Sequence, residues 1–381
     1  MRNCTPRSVY IHIPFCRHHC EYCNFTVVAG REYLIDQFLQ ALAVELQQLD
    51  GRPELDTLYL GGGTPSRLPA PALAALLDLI CGHFELAAAA EFTIEANPED
   101  LPGEIGQVID DSRINRISLG IQSFDSQKRQ RLDRDHSDIQ IANALDFCRQ
   151  HTRSFSIDLI FAAPADNPGM WQADLQQAIH CGAHHVSTYE LTIEKGTRFW
   201  NRKLHGQLQT ADDEQCAALF ETTIATLTDS GFEHYEVSSF ARPGFRSRHN
   251  QIYWTGRSYW AFGPGACGLV DGRRFTNHRS TTRYLKAVLS GQPAFEEEQH
   301  LSAREMAQER IVFGLRMTEG IDLNAFREET RLAENEVVPS SLLNELQDQG
   351  LIEFSPQRLK LTSRGLLFGD LVCSRIHAAE I

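Results

Sequence analysis

The chain has 381 residues, of which 42% are hydrophobic, enough to bury one large core and a smaller one. Its formal net charge of −14 disfavours broad contact with a phosphate backbone, so we expect no nucleic-acid partner. No run approaches the roughly eighteen apolar residues of a membrane helix, and no signal-peptide core is found, which predicts a soluble, cytoplasmic protein with no transmembrane segment.

The first two thirds of the chain alternate short apolar runs with amphipathic patterns. The runs predicted to be strands are Val9–Phe15, Thr57–Leu60, Glu91–Ile94, Arg116–Ile121, Phe155–Phe161, His185–Leu191 and His234–Val237. The stretches predicted to be helices are Tyr33–Leu49, Pro71–Ile80, Ile139–Gln150, Trp171–His180 and Asp212–Leu227. Strands that alternate with helices indicate a parallel sheet, so we predict an α/β fold with a complete or partial (β/α) TIM-like barrel.

The first run leads into a loop in which Cys16, Cys20 and Cys23 have C-x3-C-x2-C spacing. Three thiolates within one short loop suit a [4Fe-4S] cluster in which three irons take protein sulfur and the fourth stays open. An open iron can bind a second ligand, which turns an electron-transfer cluster into a chemical site.

Two alternatives remain for these cysteines. A structural zinc ion needs four ligands, and here the fourth would have to be His12, His18 or His19 from the same part of the chain. An unused group of thiols is less favoured still. The other cysteines include four in helix-like patterns, which argues against a disulfide framework and favours a reducing compartment: Cys81, Cys148, Cys181 and Cys216.

Polar or glycine-rich segments follow the next strands at Gly61–Ser66, Glu95–Pro98 and Gly120–Phe124. Because the carboxyl ends of parallel strands meet on one face, we expect these segments to join the cysteine loop in one site. An open iron can chelate S-adenosylmethionine (SAM), and Gly61–Gly63 would let the backbone approach its amino group. A tight turn is the alternative for these glycines. Candidates to hold the ribose hydroxyls and carboxylate of SAM are Glu95, Gln122, Arg134 and Asp158.

A second polar and aromatic cluster spans Arg248–Trp254 and continues through Tyr259–Cys267. His249, beside Tyr253 and Trp254, could ligate or stack on a flat macrocycle. The spacing alone favours the alternative, an aromatic plug that closes the bottom or side of the barrel with His249 hydrogen-bonded.

From about residue 301 the pattern changes to helices and a short ribbon, which predicts a small winged-helix-like module. The predicted elements are helix Ser302–Met317 with a Ser302/Glu305 capping pair, helix Ser340–Gln349, strands Leu351–Phe354 and Arg358–Leu361, and helix Ser363–Arg375. Nine Lys and Arg against thirteen Asp and Glu give residues 301–381 a net charge of −4, which favours packing or partner binding over DNA binding. The predicted domains are a barrel at 1–240, a linking segment at 241–300 and the module at 301–381.

Over nearly its whole length the chain resembles the radical SAM superfamily, and within it the haem chaperone group of the oxygen-independent coproporphyrinogen III oxidase-like branch. The segments that carry the resemblance are Tyr10–Cys16 with the cysteine loop, Leu60–Ser66, Gly120–Phe124, Ile157–Ile160, Ser187–Leu191, His249–Trp254 and Phe313–Arg316.

The resemblance implies that Cys16, Cys20 and Cys23 hold a [4Fe-4S] cluster. It implies SAM contacts at Tyr10, Gly63, Thr64, Glu95, Gln122, Arg134 and Asp158. Tyr22 matches a position that contacts a second cofactor molecule in the coproporphyrinogen dehydrogenases. His249 is the preferred haem-ligand candidate.

The resemblance also separates two functions. Coproporphyrinogen III dehydrogenases, which form protoporphyrinogen IX by oxidative decarboxylation, have a longer N-terminal part and a fourth cysteine two residues after the third. Here that position is Phe25, and nine residues precede Tyr10. Both features, together with the His249–Trp254 segment, resemble a haem chaperone that delivers haem to haemoproteins. The dehydrogenase is the alternative, and a plain iron–sulfur or redox-sensing scaffold is a third. The recipient, the cleavage of SAM and a homodimer are left open.

One segment departs from the pattern of the chaperone group. Where that group has Gly-x-Gly-x-Gly-Ala-His, this chain has Ala261 in place of the first glycine and Cys267 in place of the histidine. If the missing histidine helps to bind haem, affinity or ligation differs here.

Overall fold

A computed structural model describes residues 5–379. The strands are β1 (Ser8–Ile13), β2 (Phe15–Cys16), β3 (Val28–Ala29), β4 (Glu54–Gly62), β5 (Glu85–Ala96), β6 (Arg116–Gln122), β7 (Ser154–Phe161), β8 (His185–Glu190), β9 (Glu233–Glu236), β10 (Ser239–Ala241), β11 (Trp260–Phe262), β12 (Cys267–Val270), β13 (Arg273–Asn277), β14 (Phe295–His300), β15 (Ile321–Asp322), β16 (Ile352–Phe354) and β17 (Arg358–Leu361). The α-helices are α1 (Ile35–Leu46), α2 (Ala70–His83), α3 (Glu104–Asp110), α4 (Ser126–Arg131), α5 (Asp138–His151), α6 (Pro168–His180), α7 (Arg198–Leu204), α8 (Asp213–Asp229), α9 (Arg248–Trp254), α10 (Thr281–Leu289), α11 (Ala303–Gly314), α12 (Leu323–Thr330), α13 (Ser340–Asp348), α14 (Ser363–Leu367) and α15 (Gly369–His377).

The main sheet has the strand order β11-β1-β4-β5-β6-β7-β8-β10-β9, and its strands are parallel from β11 to β8. On β1, Val9, Ile11 and Ile13 are fully buried in the core, whereas the alternate residues Tyr10 and His12 contact each other across the polar interior. The structure thus confirms the predicted partial β/α barrel and gives it a polar interior that can hold a site.

The prediction that the last strand of the barrel pairs in parallel is wrong. Glu233–Glu236 joins the sheet only through β10, which is antiparallel both to it and to β8. Only Val237 and Ser238 separate β9 from β10, and a link that short allows a hairpin but no parallel crossover. At the other edge, Trp260–Phe262 comes from the predicted linking segment and pairs in parallel with β1, so the sheet extends beyond residue 240.

The C-terminal module has its own core, and its sheet has the order β15-β17-β16. The predicted capping pair is present, since Ser302 and Glu305 form a capping box at the start of α11. The single helix predicted over 363–375 is instead two, because Phe368 leaves helical geometry at φ −112° and ψ 22° and a glycine follows it. The ribbon is confirmed, and it gains the unpredicted short strand β15.

Two expectations from composition can be compared with this fold. The nine cysteines among residues 5–379 are all free. In the same range no helix combines the length and apolar character that a membrane span needs.

Candidate cluster and cofactor site

The cysteine loop is closed at its base by the pairing of β2 with β3, in which Cys16 lies opposite Ala29. The Cys23 amide donates to the Cys20 carbonyl at 3.1 Å, so the last two cysteines share a tight turn. Burial raises the pKa of the Cys16 thiol to about 12 and also raises the pKa values of Cys20 and Cys23. Iron bonded to these sulfurs would hold them as thiolates, which burial alone disfavours.

Each of the three histidines considered as a zinc ligand has Nε2 within hydrogen-bonding distance of a backbone carbonyl. Nε2 of His12 lies 2.7 Å from the Thr26 carbonyl, that of His18 lies 2.6 Å from the Asp133 carbonyl, and that of His19 lies 2.9 Å from the Cys23 carbonyl. Among the described residues, no three His, Cys, Asp or Glu side chains converge as ligands of a single ion would. Nε2 of His18 also lies 3.6 Å from Cys20 Sγ, so zinc would require the His18 contact with Asp133 to break, and the cluster stays the favoured prediction.

The glycine segment after β4 packs directly against the first cysteine. A Cβ atom on Gly63 would lie 3.0 Å from Cys16 Sγ and 2.8 Å from the Phe15 carbonyl oxygen, so only glycine fits here. Thr64 continues the contact, with its Oγ1 3.6 Å from Cys16 Sγ. Both residues that the resemblance assigns to SAM at this segment therefore lie beside a predicted iron ligand.

Glu95 connects the glycine segment to the barrel interior. Its carboxylate accepts hydrogen bonds from the Gly62 amide at 3.0 Å and from the Tyr59 hydroxyl at 2.9 Å. Burial raises the pKa of this carboxyl to about 7, and the nearby Asp158 charge adds to the rise. Glu95 is thus a hydrogen-bond acceptor whose charge depends on what occupies the site.

Arg134 is the cation of the site. Its guanidinium donates to Asn97 Oδ1 at 2.5 Å and to the Gly120 carbonyl at 3.0 Å, and its Nη1 lies 3.8 Å from Cys20 Sγ. A Cβ atom on Gly120 would lie 3.0 Å from Gln122 Nε2, so Gln122 reaches the same point. The structure therefore brings a fixed positive charge beside a predicted iron ligand, as the carboxylate of SAM would need.

Asn97 is a site residue to which the sequence analysis assigned no role. Besides accepting from Arg134, its Nδ2 lies 3.4 Å from Thr64 Oγ1, so one amide joins the glycine segment to the cation. Its place at the end of β5 in the Glu-Ala-Asn-Pro segment was the available signal.

Asp158 and Tyr10 lie deeper in the barrel interior than Arg134. Asp158 accepts from the Ser118 hydroxyl at 3.2 Å, and burial raises its pKa. The Tyr10 hydroxyl lies 3.0 Å from His12 Nδ1, and its ring is 6.1 Å from that of Tyr59. These two residues line the space below the cysteine loop rather than the loop itself.

Tyr22 is held against the barrel rim. It packs on a small apolar cluster that includes Leu132 and Ile160, and its ring lies 6.4 Å from that of Phe199 on α7. The Phe199 amide donates to the Glu21 carbonyl, which joins the start of α7 to the cysteine loop. Contact between Tyr22 and a second cofactor molecule stays a prediction.

Two family models match the chain: the Radical SAM superfamily over residues 10–178 and the HemN C-terminal domain over residues 301–368. "Heme chaperone HemW" of Lactococcus lactis is 35% identical over 99% of this chain and 98% of its own length. The protein of the same name from Escherichia coli is 34% identical over 95% of this chain and 96% of its own length. The chain belongs to the HemW family. Membership in this radical SAM family implies SAM and a [4Fe-4S] cluster, the groups for which the site has the residues described above.

The HemW family shares its fold with a solved structure. Coproporphyrinogen III oxidase (HemN) of Escherichia coli superposes with a TM-score of 0.86 over 98% of this chain and 90% of its own. That protein is a radical SAM enzyme. At 22% identity this likeness shows the fold alone. It confirms the predicted radical SAM barrel with a C-terminal module.

His249 lies at the other end of the barrel from the cysteine loop. It is 1% exposed, its Nδ1 lies 2.8 Å from Thr57 Oγ1 near the start of β4, and its Nε2 lies 2.9 Å from the Tyr253 hydroxyl. Its ring stacks on Tyr59 at 5.1 Å. A haem iron would need one of these nitrogens, so ligation by His249 stays a prediction that requires a hydrogen bond to break.

The two departures from the HemW pattern have different surroundings. Ala261 is buried in β11 opposite Tyr10, where a methyl group is accommodated. Cys267 begins β12 and is close enough to Tyr253 and Tyr259 to raise their pKa values, in addition to the larger effect of burial. The position where the family usually has histidine is therefore adjacent to the aromatic cluster that contains His249.

Proposed function

We propose that this chain is a haem chaperone, which binds haem and delivers it to recipient haemoproteins. The observation that supports this most strongly is the likeness, at 34–35% identity and over at least 95% of the chain, to proteins named heme chaperone HemW. Phe25, in place of a fourth cysteine, agrees with that group.

In this proposal the [4Fe-4S] cluster is held by Cys16, Cys20 and Cys23. Gly63 and Thr64 receive the methionine end of SAM, and Arg134 pairs with its carboxylate because it is a half-buried cation beside the loop. Glu95, Gln122 and Asp158 offer acceptors and donors for the ribose hydroxyls. A [4Fe-4S] cluster held by the three cysteines would, when reduced, supply an electron to SAM held by these residues.

The chain's own residues prepare this site in three ways. Arg134 supplies a positive charge whose position is fixed by Asn97 and the Gly120 carbonyl. The glycine segment removes side chains from the space beside Cys16. Helix α7 is attached to the cysteine loop through the hydrogen bond between the Phe199 amide and the Glu21 carbonyl.

The test is anaerobic reconstitution followed by two titrations. In the first titration, haem is added and its absorbance is followed. In the second, coproporphyrinogen III is added and the formation of 5′-deoxyadenosine and protoporphyrinogen is followed. Haem binding without porphyrinogen turnover, together with transfer of the haem to an apo-haemoprotein, is the expected result. Turnover of coproporphyrinogen III would instead assign the dehydrogenase activity. Failure of the reconstituted protein to bind haem would contradict the proposed chaperone function.

Variants in the SAM pocket separate the chaperone from a plain iron–sulfur scaffold. Gln122→Ala and Asp158→Ala are expected to weaken SAM binding while the cluster is retained, whereas a scaffold would keep its function in both variants. A cytoplasmic location and a homodimer remain parts of the proposal, to be tested by cell fractionation and by light scattering of the reconstituted protein.

A further inference from the structure

A cleft of about 350 Å³ lies where α10 begins. One side is apolar and formed by residues 27–29, and the other carries Arg31, Arg279 and the first residues of α10. The apolar side includes β3, which pairs with Phe15–Cys16. The cleft is therefore one strand away from the first predicted iron ligand.

The first turn of α10 offers hydrogen-bond donors without acceptors. The helix has nine residues and no side-chain cap, because the Ser280 hydroxyl contacts the Thr282 hydroxyl at 3.1 Å instead. Within residues 5–379, the backbone N–H groups of Thr281, Thr282 and Arg283 have no acceptor. Free amides at this end of a helix, together with its dipole, attract an anion.

The hydroxyl of Thr281 is a second, independent observation. Thr281 lines the cleft and is only 3% exposed, yet within the described part of the chain its Oγ1 has no hydrogen-bond partner. A buried hydroxyl without a partner is unfavourable, and a ligand oxygen that accepts from it would remove that cost.

The two arginines are available to the same ligand. Both are exposed, and neither forms a salt bridge among the residues that the structure describes. The nearby carboxylate of Glu296 is already engaged, since it accepts from the His278 ring at 3.1 Å and from the Arg279 amide at 3.4 Å. The cleft therefore has an excess of positive charge in a chain whose net charge is −14.

We propose that this cleft binds an oxyanion group, carried either by haem as a propionate or by free phosphate. The haem source rests on the proposed function and on His249 being a structural plug, because His249 lies at the other end of the barrel from this cleft. The phosphate source rests on neither. The apolar wall at residues 27–29 favours haem, because a macrocycle has a flat apolar body next to its carboxylates.

Inorganic phosphate is the first probe, titrated by calorimetry into the reconstituted protein. Arg279→Ala is expected to weaken binding about tenfold, since it removes a charge-assisted hydrogen bond. Thr281→Val removes the hydroxyl at nearly constant volume and is expected to weaken binding without lowering the melting temperature. Arg304→Ala is the matched control, because this exposed arginine lies at the start of α11, where Ser302 already caps the helix.

Haem and haem dimethyl ester form the second arm. A propionate in the cleft predicts that Arg279→Ala and esterification each weaken haem binding about tenfold, and that the two losses do not add. Phosphate binding that depends on Arg279, with unchanged haem binding, assigns the cleft to phosphate. If wild-type protein binds no haem but binds phosphate through Arg279, the proposed oxyanion site is supported and the proposed chaperone function is rejected. The site is overturned if phosphate does not bind and neither change affects haem.

Discussion

Asn97 accepts a hydrogen bond of 2.5 Å from the guanidinium of Arg134, a residue 37 positions further along the chain. Its Nδ2 lies 3.4 Å from Thr64 Oγ1, and Thr64 in turn contacts Cys16. The Arg134 guanidinium also reaches Cys20 Sγ at 3.8 Å. One neutral amide thus holds the cation of the site in place relative to two predicted iron ligands.

Asn97→Ala is expected to weaken SAM binding while leaving the cluster intact. Arg134 would lose one of its two acceptors and be held only by the Gly120 carbonyl. A charge-assisted hydrogen bond is worth about 1.5–3 kcal/mol, which corresponds to a loss in affinity of roughly tenfold or more. The measurement is SAM titration of reconstituted protein, with iron and sulfide content determined in parallel. Asn335→Ala, at an exposed position in the C-terminal module, is the control. Unchanged SAM affinity in Asn97→Ala would show that Arg134 does not depend on this contact.

Cys20→Ser is expected to abolish the cluster, because an alcohol does not replace a thiolate as a ligand to iron. Iron and sulfide content and the charge-transfer absorbance after anaerobic reconstitution provide the measurement. Cys216→Ser is the matched control, since Cys216 lies on α8 and is not part of the loop. Full iron and sulfide content in Cys20→Ser would contradict the ligand assignment.

Glu95 is expected to make the apoprotein less stable as pH rises. Its folded-state pKa is raised from 4.5 to about 7, so between these values the unfolded chain loses a proton that the folded chain keeps. The free energy of unfolding therefore falls through this window, by at most about 3 kcal/mol for this one group. Buried histidines with lowered pKa values, such as His12 and His249, act in the opposite direction over the same range. The difference between wild type and Glu95→Gln in urea unfolding at pH 5 and pH 8 therefore measures the fall due to Glu95. An equal fall in wild type and Glu95→Gln would rule out this contribution.

The barrel and the loop of cysteines were predictable because both depend on local patterns. Apolar runs of period two locate strands such as β1, and the spacing of Cys16, Cys20 and Cys23 is itself a local property. The pairing direction of β9 was not predictable from its composition. It depends on the two-residue link to β10, whose own three residues are too short to show a strand pattern.

The contacts between distant segments were also not predictable from the sequence. Glu45 on α1 accepts hydrogen bonds from the Gly263 amide at 3.0 Å and from Asn277 Nδ2 at 2.6 Å, and so anchors the glycine segment after β11 to the barrel. In the sequence, Glu45 is one of many acidic residues in a helical pattern. Only the fold shows that it is buried and that its partners lie more than 200 residues away.

His249 provides the test that separates a structural plug from a haem ligand. His249→Ala is expected to destabilise the apoprotein by about 3 kcal/mol, because it leaves a cavity and an unpaired hydroxyl on Tyr253, while Thr57 keeps its hydrogen bond to Ser8. Tyr253→Phe should cost less, about 1 kcal/mol, and it frees His249 Nε2. Urea unfolding measures both, with His300→Ala as the control at an exposed histidine.

Haem titration of the same variants then decides the role of His249. If His249 binds the iron, Tyr253→Phe should raise haem affinity, since no hydrogen bond has to break, and His249→Ala should lower it. If His249 is only a plug, both variants lose stability, and the haem affinity of the folded protein stays at the wild-type value. Cys267→His extends the test, because it restores an imidazole, which binds iron without first losing a proton, near the same aromatic cluster. If Cys267→His raises haem affinity and His249→Ala leaves haem affinity unchanged, the iron-ligand position is assigned to residue 267 instead of His249.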